Sequence, residues 1–241
     1  VSLVGTQPKS LTDALDVIRA ILADGVRLGK VSSEKAELAM ACVTTGTDLK
    51  AVLRGRKADL LIETASENLA AKIAIAREAD ELLPPHAVIA TNTSALSVTE
   101  IACATGRADR VLGMHFFNPV HKMKLLEIVR GLATSDDTIA RARAWGASIG
   151  KTSIVVNEAP GLTTSRMSAM MGNEAMYMLM EGIASAEDID TALRLGFNHP
   201  MGPLELGDLT GWDTRLAVLQ YLHATLGEKF RPCPLLVQYV K

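Results

Sequence analysis

Residues 114–129, MHFFNPVHKMKLLEIV, form two apolar runs around a connection that contains Asn118 and Pro119. Such runs are typical of strands buried in a sheet, yet the first carries His115 and the second carries Glu127. A reversal of the chain between the runs would bring these two side chains together. A carboxylate on one imidazole nitrogen fixes the tautomer and raises the basicity of the other nitrogen. The pattern therefore predicts either a general base with its orienting group or a structural ion pair.

Strand-like and helical patterns alternate around this stretch. The strand-like runs are VSLV, CVTTGTD, ADLLIET, HAVIATNTS and RVLGMHFF, and helical patterns such as LTDALDVIRAILADGVRLGK and ENLAAKIAIAREADELL separate them. This alternation predicts an α/β fold with a parallel, doubly wound sheet. From residue 157 onward the patterns are helical, as in SRMSAMMGNEAMYMLM and SAEDIDTALRLG. We therefore expect one domain over residues 1–156 and a second, all-helical domain over residues 157–241.

The composition excludes several classes of protein. The chain has 241 residues, 48% of them hydrophobic, and a formal net charge of −2, so its charge gives no reason to expect nucleic acid or an anionic membrane as a partner. No apolar run is long enough to span a bilayer. Cys42, Cys103 and Cys233 are widely spaced, which favours neither a disulfide framework nor a metal site. We expect a reducing, cytoplasmic location and no metal.

Polar residues follow the strand-like runs where each run ends. Ligands of an open α/β sheet bind beyond the carboxyl ends of its strands, so these residues predict a cleft at one edge of the sheet. Each of them alone is more typical of a turn or a helix cap than of a binding site. They are Ser66, Glu67, Asn68 and Lys72 after ADLLIET, Asn92, Thr93 and Ser94 after HAVIAT, and His115 and Asn118 in the stretch first quoted.

The segments IETASENLAAK, ATNTSALSVTEIA, RVLGMHFFNPVHKMKLLEIVRG, EAPGLTTSR and HPMGPLELGDLTGWD together resemble the L-3-hydroxyacyl-CoA dehydrogenases. The resemblance covers essentially the whole chain, and the bacterial 3-hydroxybutyryl-CoA dehydrogenases are the most similar group. It implies a Rossmann-type sheet that binds NAD and, after it, a helical domain for substrate binding and dimerisation. It also implies hydride transfer between NAD and C3 of an acyl-CoA, in fatty-acid β-oxidation or short-chain acyl-CoA metabolism.

The resemblance also assigns roles to the reacting residues. It makes His115 the general base and Glu127 its partner. Ser94 would contact the C3 oxygen of the substrate and lie near the nicotinamide, and Asn118 would organise the thioester end.

A further set of residues would bind the cofactor and the CoA nucleotide. Glu67, Lys72 and Asn92 would line the ribose and nicotinamide side of the cofactor. Arg27 and Lys30, at the first helical hairpin, would lie where the family binds the CoA nucleotide, although basic residues on a helix are usually just solvated.

The sequence departs from the family pattern in several places. The family begins with a strand and G-x-G-x-x-G, which hold the cofactor pyrophosphate, and this motif does not occur here. We expect a preceding segment of a few tens of residues, and weak dinucleotide binding by a chain that lacks it. The chain also stops before the family's usual Gly-rich and basic tail. Gly5 stands where an acidic residue normally repels a 2′-phosphate, so NAD is expected and NADP stays conceivable, with Lys9 as its phosphate partner. Ser165 replaces the Asn of some members and is given a supporting role.

Three functions remain open from the sequence. The first is the NAD-dependent 3-hydroxyacyl-CoA dehydrogenase, and the second is a relative that oxidises a hydroxy acid without CoA, such as gulonate. The third is a non-catalytic scaffold built on the same fold, which the missing Gly-rich loop favours and the intact His115, Glu127, Ser94 and Asn118 oppose. The apolar faces of SRMSAMMGNEAMYMLM and LAVLQYL are consistent with a homodimer formed through the helical domain.

Overall fold

The computed structural model describes residues 1–54 and 57–241, which fold into two sheets and a set of helices. A two-stranded parallel sheet pairs the first two strands, β1 (Ser2–Val4) and β2 (Thr44–Gly46). The main sheet has the order β3-β4-β5-β6-β7. Its strands are β3 (Leu60–Glu63), β4 (Val88–Thr91), β5 (Val111–Phe116), β6 (Leu125–Arg130) and β7 (Thr152–Asn157).

The helices lie between the strands in the first part of the chain and follow them in the second. The first six are α1 (Pro8–Arg27), α2 (Ser33–Ala41), α3 (Leu49–Leu53), α4 (Leu69–Leu82), α5 (Val98–Cys103) and α6 (Asp136–Ser148). The last five are α7 (Thr164–Met180), α8 (Ala186–Gly196), α9 (Pro203–Thr210), α10 (Trp212–Leu226) and α11 (Pro234–Val240). Short 3-10 turns cover Ala108–Arg110 and Glu228–Phe230.

The main sheet is buried on both faces, as a doubly wound sheet requires. Alternate side chains of β4 and β5 point to opposite faces, so Ile89 and Val111 pack with α4 and α5, whereas Val88 and Leu112 pack with α6. The helices α7 to α11 enclose a separate apolar core that includes Met176. The predicted fold class, a Rossmann-type α/β sheet followed by helices, is confirmed.

Strand directions account for the geometry of the stretch first quoted. β3, β4 and β5 are mutually parallel, β6 runs antiparallel to β5, and β7 is parallel to β6. The expected chain reversal therefore lies between β5 and β6. In the register of this pair, His115 lies directly opposite Glu127.

Local sequence explains where several helices begin. The side chain of Ser32 accepts a hydrogen bond from the Lys35 amide at the start of α2, and Asn68 caps α4 in the same way. Pro8 and Pro203 lie in the first turns of α1 and α9, where the missing N–H costs no helical hydrogen bond.

The chain passes from β7 to α7 close to the predicted domain boundary, and the division at residues 156 and 157 stays a prediction. Helices α3, α6, α9 and α11 and strand β7 were not predicted. Among the described residues, no helix combines the length and the apolar character needed to cross a bilayer.

Candidate active site

The centre of the candidate site is the pair formed by His115 and Glu127 across β5 and β6. His115 Nδ1 lies 2.7 Å from Glu127 Oε2. The imidazole is almost completely buried, and the carboxylate is fully buried. Two ionisable groups enclosed at this distance form a strong hydrogen bond in a site that water does not screen.

Thr164, the first residue of α7, supplies two further donors to Glu127. Its backbone N–H donates to Oε1 at 3.1 Å, and its hydroxyl donates to Oε2 at 3.1 Å. Burial alone would raise the pKa of Glu127, but the hydrogen bonds from His115 and Thr164 hold it below the ordinary value. The positive end of the α7 dipole adds to this effect. Glu127 is therefore ionised at neutral pH.

An ionised Glu127 fixes the tautomer of His115. A carboxylate can only accept, so Nδ1 carries the hydrogen and Nε2 presents its lone pair on the opposite side of the ring. Ser94 Oγ lies 3.2 Å from Nε2 and is placed to donate its hydrogen there. Phe117 packs against the imidazole with a centroid distance of 4.7 Å and limits rotation of the ring. The pair thus has the arrangement of a general base whose free nitrogen lies next to a hydroxyl.

Ser94 lies in a loop that Glu67 holds from the neighbouring strand end. Glu67 Oε1 accepts hydrogen bonds from the Ser94 N–H at 3.0 Å and from the Thr93 hydroxyl. The Thr93 oxygen in turn accepts from the N–H groups of Ala95 and Leu96. The loop after β4 is therefore fixed by side-chain contacts, and Ser94 is held at the end of the sheet next to His115.

Lys72 lies behind this loop and has no exposed surface. Its Nζ donates to both oxygens of Glu63 at 3.0 Å, and to the carbonyls of Ala65 and Asn92 at 3.1 Å. A buried ammonium is tolerated only with partners of this kind. The expectation that Lys72 lines the cofactor side of the cleft is not supported by this geometry. The side chain is buried and joins the loops that follow β3 and β4.

Asn92 connects the loop after β4 to the end of β5. Its Oδ1 accepts a hydrogen bond from the Phe116 N–H at 2.9 Å, and its own N–H donates to the Glu63 carbonyl at 2.8 Å. The side-chain oxygen is thus occupied within the protein. The NH₂ group of the same amide is the part of Asn92 that can donate to a ligand.

A cleft of about 630 Å³ opens in front of these loops, between the sheet edge and α10. Glu67, Asn92 and Ser94 line the sheet side of this cleft. The α10 side is formed by Asp213, Thr214, Ala217, Val218 and Tyr221. The volume is in the range of small-molecule sites, and the cleft combines apolar walls with a few polar groups, as such sites do.

The remaining predicted residues, Asn118, Lys30 and Arg27, are exposed at the surface. Asn118 is exposed in the connection after β5 and is joined to Pro119 by a cis peptide bond. Lys30 lies exposed after α1, and Arg27 pairs with Asp24 at the end of that helix. Their contacts with a substrate stay predictions.

Sequence reasoning missed Thr164 and the α10 side of the cleft. The segment EAPGLTTSR had directed attention to Ser165 instead, which is half-buried one residue further along α7. One signal could have found Thr164: a buried carboxylate needs donors, and the first turn of a helix provides unpaired N–H groups.

Two family models together match nearly the whole chain. The model of the 3-hydroxyacyl-CoA dehydrogenase NAD binding domain matches residues 1–159, and that of the C-terminal domain of the same family matches residues 161–241. The chain belongs to the 3-hydroxyacyl-CoA dehydrogenase family. The sequence-based prediction of an NAD-dependent oxidoreductase of this family is thus confirmed.

Named relatives support the same assignment. The chain is 42% identical over 242 residues to a probable 3-hydroxybutyryl-CoA dehydrogenase of Bacillus subtilis, a match that covers 100% of this chain and 83% of the relative. It is 46% identical over 184 residues to the 3-hydroxybutyryl-CoA dehydrogenase of Bradyrhizobium diazoefficiens, covering 76% of this chain and 63% of that protein. The crystal structure of (S)-3-hydroxybutyryl-CoA dehydrogenase from Ralstonia eutropha superimposes with a TM-score of 0.94 at 37% identity, covering 100% of this chain and 84% of the other.

Proposed function

We propose that this member of the family interconverts an L-3-hydroxyacyl-CoA and the 3-oxoacyl-CoA, with a short acyl chain such as the 3-hydroxybutyryl group. The observation that carries the proposal is the buried pair of His115 and Glu127, whose free imidazole nitrogen lies 3.2 Å from the Ser94 hydroxyl at the cleft. The relatives named for 3-hydroxybutyryl-CoA support the short acyl chain. Such a reaction belongs to fatty-acid β-oxidation or to short-chain acyl-CoA metabolism.

In the oxidative direction, His115 Nε2 takes the proton of the C3 hydroxyl. Glu127 stabilises the imidazolium that forms, because its negative charge lies on the opposite ring nitrogen. The Ser94 hydroxyl forms a hydrogen bond with the same C3 oxygen. It thereby keeps this oxygen positioned between the Ser94 hydroxyl and His115 Nε2. In the reductive direction the same imidazolium returns the proton to the oxygen, as reversibility requires.

The donor and acceptor groups of the cleft fit the nicotinamide half of NAD. Glu67 uses Oε1 inside the protein, while its side chain remains 44% exposed and Oε2 can accept from a ribose hydroxyl. Asn92 offers its NH₂ group, and Ser94 lies between this side and His115. When bound, NAD supplies the acceptor for the hydride that leaves C3. Lys72 contributes by holding the two loops in place.

The choice between NAD and NADP is part of the proposal. We propose NAD as the cofactor, supported by the match to the family's NAD binding domain. Gly5 follows β1 and has no carboxylate to repel a 2′-phosphate, so use of NADP is a measurable alternative with Lys9 as the neighbouring cation.

We propose that residues outside the buried pair of His115 and Glu127 bind the thioester and the CoA part of the substrate. Asn118, exposed after β5, would contact the thioester end of the substrate, and Lys30 would pair with a phosphate of the CoA nucleotide. Substitution of Lys30 by Ala is expected to raise KM for the acyl-CoA and leave kcat unchanged, since it would remove only binding that substrate and transition state share.

We also propose a homodimer formed through the helical region and a cytoplasmic location. Several apolar side chains of that region are more than half exposed, namely Met167, Ile183, Leu195, Phe197 and Leu209. Exposed apolar surface of this kind is typical of subunit interfaces. Sedimentation that gives only monomer at micromolar concentration would contradict the dimer. All three cysteines are free, which suits a reducing compartment, and cell fractionation would test it.

The experiment that tests the activity is oxidation of NADH driven by acetoacetyl-CoA. It compares the protein from the complete open reading frame with its His115→Gln variant, and it uses gulonate with NAD as a second substrate. We expect rapid turnover with acetoacetyl-CoA only, and a loss of about 10³-fold or more in the variant. A folded parent that turns over gulonate instead, or neither substrate, would refute the proposed activity.

A further inference from the structure

Glu127 is held by three donors that come from two elements. His115 Nδ1 and the Thr164 hydroxyl both donate to Oε2, and the Thr164 N–H donates to Oε1. The carboxylate is fully buried, so bulk solvent does not reach its oxygens. With both oxygens engaged, the carboxylate has a single orientation toward the imidazole.

The hydroxyl of Thr164 is used in an unusual way for a residue at a helix start. Ser and Thr near the first turn commonly accept hydrogen bonds from the helix's own N–H groups, as Ser135 does for α6. The Thr164 side chain instead donates away from α7 to a residue 37 positions earlier in the sequence. It thereby shares Oε2 with the imidazole N–H.

We propose that the Thr164 hydroxyl is a positioning group for the base of the reaction. It orients the Glu127 carboxylate toward His115, and it weakens the attraction between that carboxylate and a proton on the imidazole. The inference rests on the proposed function, because it assigns a role to Thr164 through His115. Thr164 would act through Glu127, since its side chain and its N–H both donate to that carboxylate.

Removal of the hydroxyl has a defined consequence for the pair. A donor that points at an anionic oxygen stabilises the unprotonated form, so its loss increases the proton affinity of the coupled His115 and Glu127. The neutral imidazole that oxidation needs is then reached only at higher pH. We expect the acid limb of the kcat/KM profile to move up by about one pH unit, the scale of one hydrogen bond to a charged group.

Other charged groups on neighbouring elements contribute to the pH profile of the parent and of every variant alike. They are Glu63, Glu67 and Lys72 at the strand-end loops, Glu100 on α5, Arg130 on β6, Asp136, Asp137, Arg141 and Arg143 on α6, Lys151 and Glu158 beside β7, and Arg166 on α7. None of them is altered by a substitution at Thr164. A shift between parent and variant therefore reports the hydroxyl and not these groups.

The experiment measures kcat, KM and the pH profile of 3-hydroxybutyryl-CoA oxidation for Thr164→Val, Thr164→Ala and Thr164→Ser, beside the parent and His115→Gln. All three variants keep the backbone N–H donor. Val keeps the shape of the side chain without the hydroxyl, Ala truncates the side chain at Cβ, and Ser keeps the hydroxyl. The matched control is Thr163→Val, since Thr163 is exposed and its side chain makes no capping hydrogen bond.

We expect Val and Ala to share the shifted acid limb and a lower kcat with KM nearly unchanged, and Ser and Thr163→Val to match the parent. If Val fails to fold, Ala and Ser decide the question. An unshifted acid limb in Ala, or a Ser variant as shifted as Ala, would overturn the inference while leaving the activity intact. A parent without turnover, or a fully active His115→Gln variant, would refute the proposed function and the inference with it.

Discussion

Substitution of Glu127 by Gln tests the central pair with little change in shape. The amide has nearly the same volume as the carboxylate, so the packing around β6 is kept. Its NH₂ group, however, can donate to Nδ1 of His115, which lies 2.7 Å from the present Oε2. The imidazole would then carry its hydrogen on Nε2 and could no longer accept the substrate proton. The charge that stabilises the imidazolium would also be lost.

The magnitude follows from these two losses together. In serine proteases, the equivalent amide replacement behind a catalytic histidine lowers kcat by about 10⁴. Here the backbone N–H of Thr164 can still bond to the amide oxygen, so part of the orientation is kept. We therefore expect a loss of about 10³ to 10⁴ in kcat, equivalent to about 4 to 5.5 kcal/mol in the barrier.

The assay is steady-state oxidation of 3-hydroxybutyryl-CoA with NAD, run on the variant and on a control, Glu174→Gln. Glu174 is an exposed carboxylate on α7, so the control makes the same chemical change away from the pair. Thermal unfolding of each variant separates loss of activity from loss of structure. A folded Glu127→Gln enzyme with kcat within tenfold of the parent would refute the role of Glu127 as orienting group.

The remaining predictions concern positions that support the site. Lys72→Met leaves Glu63 buried without its counter-charge, so the free energy of unfolding should fall by about 3 to 5 kcal/mol in a denaturant titration; an unchanged midpoint would contradict this. Gly113→Ala places a Cβ 2.7 Å from Val129 Cβ, and overpacking should lower the free energy of unfolding by about 1 to 3 kcal/mol. Gly5→Asp should lower turnover with NADPH relative to NADH, and an unaltered ratio would show that Gly5 does not set the preference.

The pairing of His115 with Glu127 was predictable because it depends on local features. Two strand-like runs joined by a short connection reverse the chain. His115 and Glu127, which are 12 residues apart, then lie opposite each other in the antiparallel pair. Strands β3 to β6 of the main sheet were predictable for a similar reason, whereas β7 was not predicted. Most of them are continuous apolar runs, because a strand that is buried on both faces of a sheet needs apolar side chains on both sides.

Other elements lack such a signal. α6 was not predicted because the residues that it buries include the small Thr138, Ala142 and Gly146, which leave only a weak apolar stripe. α9 and α11 are short and begin at prolines, and a short segment carries little periodicity.

The role of Lys72 and the contact from Thr164 depend on tertiary structure alone. A lysine one turn into a helix is ordinarily exposed, and nothing in the local sequence shows that Glu63 and two carbonyls surround this one. Thr164 reaches Glu127 from 37 residues away, across the change from sheet to helices. Such contacts appear only when the elements are packed together.

The antiparallel direction of β6 explains why the pair of His115 and Glu127 forms at this point of the sheet. Parallel neighbours need a crossover of a dozen or more residues, usually a helix, so residues opposite each other in them are far apart in sequence. The change of direction between β5 and β6 lets one short segment supply both His115 and Glu127 in direct register. The carboxylate is fully buried, and Thr164 at the start of α7 provides two donors besides the one from His115 of β5. The full set of donors to Glu127 is therefore present only when α7 is packed on the sheet, so we expect variants that loosen this contact to lose activity.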